Sequence, residues 1–322
     1  MAPGFKLLDG RLRVWFERDA VILRAHYSTL IEGYHTDPNR IQQVARTRKP
    51  RTPSEAASLD YVDTLSHVDN LDPDLIHGHS TILNLHARIM RHAAPDTTPG
   101  QYRTGGVSVG TVYVPPSPPR MSRLQDRFVS WMNDLQRKRE DPAILAGLAH
   151  LGIAQIHPFF DGNGRTARAL ATLMLNRGDH RFERLVVLDG VFARDQAAYY
   201  AQLRRANGSL DKPNSDVTEW LVYSLLALEA AVTDLLTRLQ EGHELLRQLD
   251  AEDDLNPRQI SALAGVWLRG AVYPRTFQEV SGVSRGTVWS DLSGLVEAGW
   301  LTVSGQTTAR AYRPGERLIK LA

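Results

Sequence analysis

Cysteine is absent from the 322 residues, which excludes disulfides and thiolate metal sites. Neither sign of charge dominates: the formal net charge is +2, which argues against a chain that binds nucleic acid as a bulk polyelectrolyte. No apolar run approaches the length of a membrane span, and the N-terminus carries no continuous hydrophobic region of the kind a signal peptide needs. What is left is 42% hydrophobic and 23% charged residues, an ordinary soluble composition with length enough for two or three domains. A cytoplasmic protein without membrane contact is the expectation.

Against this plain background one stretch stands apart: His157-Pro158-Phe159-Phe160-Asp161-Gly162-Asn163-Gly164-Arg165-Thr166-Ala167-Arg168. Upstream, Asp141 as N-cap, Pro142 at the first helical position and Ile144, Leu145, Leu148, Leu151 and Ile156 at helical spacing predict a helix. Pro158 ends it, so His157 falls at a helix terminus where an imidazole can face a cleft. Asp161-Gly162-Asn163-Gly164 then opens a second helix, with Leu170, Leu173, Met174 and Leu175 among its apolar positions. The glycines permit close backbone approach, and the free N–H groups of the new helix make an anion site. Arg165 and Arg168 lie on neighbouring positions of its first two turns. Cations there oppose the helix macrodipole, so ordinary helix chemistry does not account for them. Their forked donors suit phosphate oxygens. Alone, Asp-Gly-Asn-Gly is a turn. A base, a carboxylate, two glycines and two arginines set between two helices point instead to a grip on nucleotide phosphates beside a metal ion.

The stretch resembles the signature of the Fic family of AMP transferases, His-x-Phe-x-Asp/Glu-Gly-Asn-Gly/Lys-Arg-x-x-Arg, at every specified position. Gly100-Gln101-Tyr102-Arg103 and the run from Val107 to Pro116 resemble that family's lead-in and β-hairpin flap, and Tyr199-Tyr200 with Asn207 resembles the segment that closes on the adenosine. The likeness covers most of residues 20 to 235. It implies a mainly α fold, a Fic helical core with a β-hairpin flap. It also implies roles: His157 as general base and Asp161 as the residue that holds Mg²⁺ against the phosphates of ATP. Gly162, Asn163 and Gly164, with Thr166, would line the anion hole, Arg165 would reach the β-phosphate and Arg168 the γ-phosphate. Tyr199 and Asn207 would favour ATP. The reaction implied is attack by a Ser, Thr or Tyr hydroxyl of a target protein on the α-phosphorus of ATP, with release of pyrophosphate. Flap residues Val109, Gly110, Thr111 and Val112 would dock the target by strand addition.

Ser28-Thr29-Leu30-Ile31-Glu32-Gly33 reads as a short helix, about 26–33, ending at a glycine, with Ser28 and Glu32 one turn apart on one face. It is similar to the inhibitory Ser/Thr-x-x-x-Glu-Gly/Asn motif of some Fic members. The likeness implies that Glu32 pairs with Arg168 and blocks the γ-phosphate seat, and that the same carboxylate serves removal of AMP.

Elsewhere the pattern is helical. Residues 45–54 are basic and proline-interrupted and read as an exposed loop without packed structure. Helices are expected over about 55–67 and 73–91, and His77, His79, His86 and His92 read as surface or packed residues rather than a metal set. His150 reads as core or as support for His157. Residues 214–249 carry an amphipathic pattern suited to a connector, a homodimer surface or a core helix. From Thr276 to Leu292 the sequence resembles a helix-turn-helix with Gly282 in the turn, and Thr302 to Arg313 resembles the wing of a winged helix. The block 255–322 carries a net charge of +4, counting Lys and Arg against Asp and Glu. DNA and a protein are therefore equally open as its partner. The expected divisions are an N-terminal helical region 1–95, a catalytic core 96–235, a connector 236–254 and a winged helix 255–322. A different class of function, a DNA-binding regulator whose nucleotide pocket senses ATP, is the alternative to an enzyme; an intact base at His157 favours the enzyme.

Overall fold

The computed structural model describes residues 9–72, 77–93, 97–110, 113–177, 184–206, 216–305 and 310–321. The described elements are nearly all helical, in line with the mainly α expectation.

Helix α1 (Gly10–Ile31) is 22 residues long, so the short helix expected over about 26–33 is only its last turns. Leu12, Trp15, Phe16, Ala20, Ile22 and Ala25 recur at helical spacing and are all buried. Gly33, at φ 82°, lies just past its end in the left-handed region that favours glycine.

Helices α2 (Pro38–Thr47) and α3 (Pro53–Val68) take in the two ends of the segment 45–54 expected as an exposed loop, which leaves 48–52 as the loop. Asp37 caps α2 by accepting the Asn39 N–H at 2.9 Å, and Ile41 and Val44 are buried. Thr52 caps α3 by accepting the Glu55 N–H at 3.2 Å. Pro53 opens a helix there instead of breaking one. Of the segment's basic residues Arg48 pairs with Asp63, and just upstream Arg40 pairs with Glu55 at 2.7 Å. Helix α4 (His79–Ile89) starts later than the expected residue 73, although 73–76 lie outside the described residues.

Helix α5 (Pro118–Arg137) packs on α6 (Pro142–Ile156), and α6 pairs with α7 (Asn163–Leu175) to form the centre of the unit. The predicted cap on α6 is present: Asp141 accepts the Ala143 N–H at 2.8 Å, and Pro142 follows. Burial runs all round α6, which is why its sequence carries no polar stripe. Fully burying one such side chain, Leu151 for instance, contributes about 1.5–3 kcal/mol. Gly152 lets α5 approach, because a Cβ there would strike the Phe128 ring.

After α8 (Leu188–Arg194) and α9 (Gln196–Arg205), α10 (Thr218–Leu249) is a single helix of 32 residues. Trp220 Nε1–H donates to the Gly147 carbonyl at 2.8 Å and ties its start to α6. Contrary to the expectation from sequence, α10 is long and apolar enough to cross a membrane by length and composition.

The chain divides into two compact units, Val21–Val232 and the combination of Met1–Ala20 with Thr233–Ala322. The cuts fall within α1 and α10. In the second unit the end of α10 is followed by α11 (Pro257–Arg269), α12 (Pro274–Ser281) and α13 (Arg285–Glu297). Strands β1 (Leu301–Ser304) and β2 (Ala311–Pro314) and the short α14 (Glu316–Leu321) complete it. Gly282, at φ 69°, ends α12, and Ser284 caps α13 by accepting the Thr287 N–H at 3.2 Å. The strands run antiparallel with Thr302 opposite Arg313 and Val303 opposite Tyr312. Trp15 of α1 folds with this unit: its Nε1–H donates to Ser261 Oγ at 3.2 Å, and its ring fills the space a Cβ on Gly265 would need. Asp19 accepts from Arg238 at 2.7 Å in the same unit.

Candidate active site

Helix α6 stops at His157, whose φ of 51° turns the chain out of the helix while its N–H still bonds the Ile153 carbonyl at 2.9 Å. Such a conformation costs a non-glycine residue roughly 1–3 kcal/mol and persists only where neighbours impose it. His157 Nδ1 faces the Ala154 carbonyl at 3.4 Å. A carbonyl can only accept, so the proton belongs on Nδ1 and the lone pair on Nε2. Burial pushes the imidazole down to about 4; the Arg103 guanidinium adds to the effect, while Glu32 and Asp161 oppose it. The ring is therefore a neutral base at physiological pH.

The loop that follows braces itself. Asn163 Oδ1 accepts the Phe159 N–H at 2.9 Å and its Nδ2–H donates to the Phe159 carbonyl at 2.9 Å. Thr166 Oγ1–H donates to the Gly162 carbonyl at 2.8 Å. Both side chains thus hold the loop, and it is the N–H groups at the start of α7 that are available to an anion. Gly162, at φ 75°, is the N-cap, and a Cβ there would press to 2.6 Å from Met90 Sδ.

His86 lies beneath the loop. Its ring stacks on Phe159 at 3.6 Å, Nδ1 accepts the Gly100 N–H at 2.9 Å, and Nε2–H donates to the Asp161 carbonyl at 3.0 Å. Burial lowers its pKa to about 4, consistent with this neutral tautomer. The Asp161 side chain is 52% exposed; Oδ1 accepts the Gly162 N–H at 2.6 Å and Oδ2 stands 3.6 Å from Arg165 Nη2. Among the described residues no group of three His, Asp or Glu side chains is placed to hold a metal. A single open carboxylate beside an anion site instead fits a hard cation such as Mg²⁺ that shares its oxygen ligands with a phosphate.

Both arginines are buried at 3% exposure. Arg165 Nη2 touches Met90 Sδ at 3.4 Å, its Nε has no hydrogen-bond partner, and the Tyr34 ring covers its guanidinium at 5.1 Å. Arg168 is fully engaged. Its Nη2–H donates to Glu32 Oε1 at 2.7 Å and to the Ser28 carbonyl at 2.9 Å, Nε–H donates to Ser28 Oγ at 2.7 Å, and Nη1–H reaches the Tyr199 hydroxyl at 3.4 Å. Asp189, itself buried, lies 3.2 Å from Arg168 Nε. Burial works against the Arg168 charge, but Glu32, Tyr199 and Asp189 outweigh it and hold the guanidinium well above its ordinary pKa. The Glu32 carboxylate also occupies the space that a Cβ on Gly164 would enter. It therefore sits directly on the start of α7.

Glu32, His157, Gly164, Arg168 and Tyr199 line a cavity of about 270 Å³ with Tyr113, Gln155, Tyr200 and Leu203. Tyr199 is 1% exposed beneath Arg168, its hydroxyl 2.8 Å from His150 Nε2, while Tyr200 is 37% exposed and donates to the Ile31 carbonyl at 3.1 Å. Burial lowers the His150 pKa to about 3. Val109 and Tyr113 exchange backbone hydrogen bonds at 2.8 and 3.3 Å around Gly110. Thr111, Val112 and Asn207 lie outside the described residues. Asp189, Tyr113 and Gln155 were not singled out from sequence, where no motif separates a buried aspartate or a pocket-facing tyrosine from core and loop positions.

Residues 76–175, which hold this loop and the helical centre, match the Fic/DOC family. A solved Fic family protein from Desulfovibrio desulfuricans G20 has the same fold: TM-score 0.58 over 98% of this chain and 97% of its own, at 20% identity. Among named relatives, "Protein adenylyltransferase Fic" of Aedes aegypti is 31% identical over 176 residues, 51% of this chain and 34% of its own. The protein of the same name from Nematostella vectensis is 31% identical over 182 residues, 55% of this chain and 39% of its own. The chain thus spans little more than a third of these relatives' length.

Proposed function

We propose that this chain is a protein adenylyltransferase that moves AMP from ATP to a hydroxyl of a target protein. His157 Nε2 takes the hydroxyl proton, the oxygen bonds the α-phosphorus, and the bond to the β-phosphate bridging oxygen breaks to release pyrophosphate. Arg165, the N–H groups opening α7 and Arg168 grip the leaving phosphates, so catalysis is positioning, charge stabilisation and one proton transfer. Mg²⁺ on Asp161, when bound, would offset negative charge on the phosphates. The observation that carries the reading is a neutral, partly buried histidine one short loop away from two buried arginines at the start of α7, one with an unpartnered Nε. The test uses ATP labelled at either the α- or the γ-phosphate. Label should become protein-bound from the α position only; protein labelling from the γ position would mean phosphoryl transfer and would end this reading.

The resting site is shut by the chain's own N-terminal segment. Glu32 takes an Arg168 Nη2–H that the γ-phosphate needs, and Tyr34 covers Arg165. The Glu32 carboxylate beside His157 also suits orientation of a water against an AMP ester, so removal of AMP belongs to the same site. The support is the 2.7 Å Glu32–Arg168 contact.

Helices α11–α13 with β1 and β2 are read as a winged helix that binds duplex DNA through α13. Arg285 and Trp289 face outward there, Arg310 stacks on Trp289 at 4.3 Å, and the neighbouring Asp291 is buried against Arg258 at 2.8 Å. Duplex DNA titrated into the full chain should bind more weakly as salt rises from about 50 to 200 mM. No binding at the lower salt assigns the face to a protein partner. The full chain is required because Trp15 belongs to this unit's core.

A further inference from the structure

Arg103 is 2% exposed, and its hydrogen bonds among the described residues run to carbonyls, with no carboxylate paired to it. Nε–H donates to the His157 carbonyl at 2.8 Å, Nη1–H to the Gly105 carbonyl at 2.8 Å and Nη2–H to the Pro116 carbonyl at 2.5 Å. Its backbone N–H adds a bond to the Pro158 carbonyl at 2.9 Å. A buried guanidinium without a counter-ion is costly unless its donors are used. Here each arm of the fork is used, and the three acceptors come from different places. Gly105 leads into the hairpin, Pro116 leaves it, and His157 is the turn that carries the base.

The hairpin cannot set its own position. Its described pairing is the single bridge Val109–Tyr113, and the Tyr113 hydroxyl ties that bridge to α6 by donating to the Gln155 carbonyl at 2.5 Å; neither contact reaches the base of the hairpin at Gly105 and Pro116. His157 in turn holds a left-handed backbone that needs outside support. Arg103 meets both needs at once. The same lead-in is anchored at its other end, where Gly100 bonds His86 and His86 bonds the Asp161 carbonyl.

We infer that Arg103 is a positioning residue that locks the base of the flap to the backbone of His157 and so holds the distance between a docked hydroxyl and the base. The inference rests on His157 being that base. Lysine keeps the charge but lacks the planar fork, so it cannot serve three carbonyls in these directions.

The test is amide hydrogen exchange on the full chain carrying Arg103→Lys, the variant that keeps charge and most of the volume, and Arg103→Ala. Amides from Gly105 to Gly110 and those of His157 and Phe159 should exchange faster together, by about tenfold, with the interior of α3 unchanged. Guanidinium ion added to Arg103→Ala should slow both segments again, a rescue that general loosening of the core would not show. In a Glu32→Gly background, AMP transfer by Arg103→Lys should fall on the order of a hundredfold with ATP affinity little changed, because small misplacements of reacting groups are expensive. Loosening of one segment without the other overturns the inference, as does undiminished transfer. A Glu32→Gly parent that transfers nothing would count against the adenylyltransferase reading, while the exchange result would still decide the coupling.

Discussion

Replacing His157 with alanine should abolish AMP transfer and leave ATP binding intact. The imidazole is the only ring on the loop with a lone pair facing the cavity: His86 has both nitrogens committed, to Gly100 and Asp161, and His150 Nε2 is taken by Tyr199. Removing a positioned general base costs about 10²–10⁴-fold. The phosphate grip does not depend on it, since Arg165, Arg168 and the start of α7 are braced by Asn163, Thr166, Ser28 and Asp189. Dissociation constants for ATP measured beside transfer rates check both halves of this expectation. The pH dependence adds a second check. With burial holding the ring down to about 4, the base form dominates above that value, so kcat/KM falls only as pH drops through about 4. An unperturbed histidine would lose activity near 6.5. An acid limb at that higher value would place the working base elsewhere.

Glu32→Gly should raise transfer by roughly 10- to 150-fold. The contact it removes joins a carboxylate to a guanidinium that is nearly closed to water, and hydrogen bonds to charged groups contribute about 1.5–3 kcal/mol. Arg168 is not stranded by the change. Ser28 Oγ and the Ser28 carbonyl still accept from it, and Asp189 remains at 3.2 Å. The guanidinium therefore stays in place with the one Nη2–H that served Glu32 released toward the cavity, ready for a γ-phosphate. Because the effect is on the seating of ATP, ATP affinity should improve along with the transfer rate. A rise in rate without tighter ATP would point to a role for Glu32 other than occupying Arg168.

Local signals in the sequence carried the centre of the site. Asp141, Pro142 and Pro158 bracket α6, and Gly162 and Asn163 open α7, because caps and prolines act within a turn of where they stand. Pro53 shows the limit of such local signals: the same residue type that marks a loop also opens a helix, and here it opens α3. What was not legible depends on residues distant in the chain. Arg103 was visible only as part of a lead-in, since nothing local shows that its fork ends on carbonyls at 105, 116 and 157. Asp189 looks like any helix-start aspartate until Arg168 is brought to it from α7. Trp15 likewise declares its partners only through Ser261 and Gly265, far along the sequence. His86 passed for one packed histidine among several, and its stacking under Phe159 is a tertiary fact.

The central claim is that one loop makes this chain an AMP transferase and that Glu32, by holding Arg168, keeps it shut. It is tested most directly by incubating three proteins with Mg²⁺ and ATP labelled at the α-phosphate: the parent chain, Glu32→Gly, and Glu32→Gly combined with His157→Ala. The account predicts faint protein labelling by the parent, strong labelling by the single variant and none by the double variant. Equal labelling by the parent and Glu32→Gly, or labelling that survives loss of His157, would contradict it.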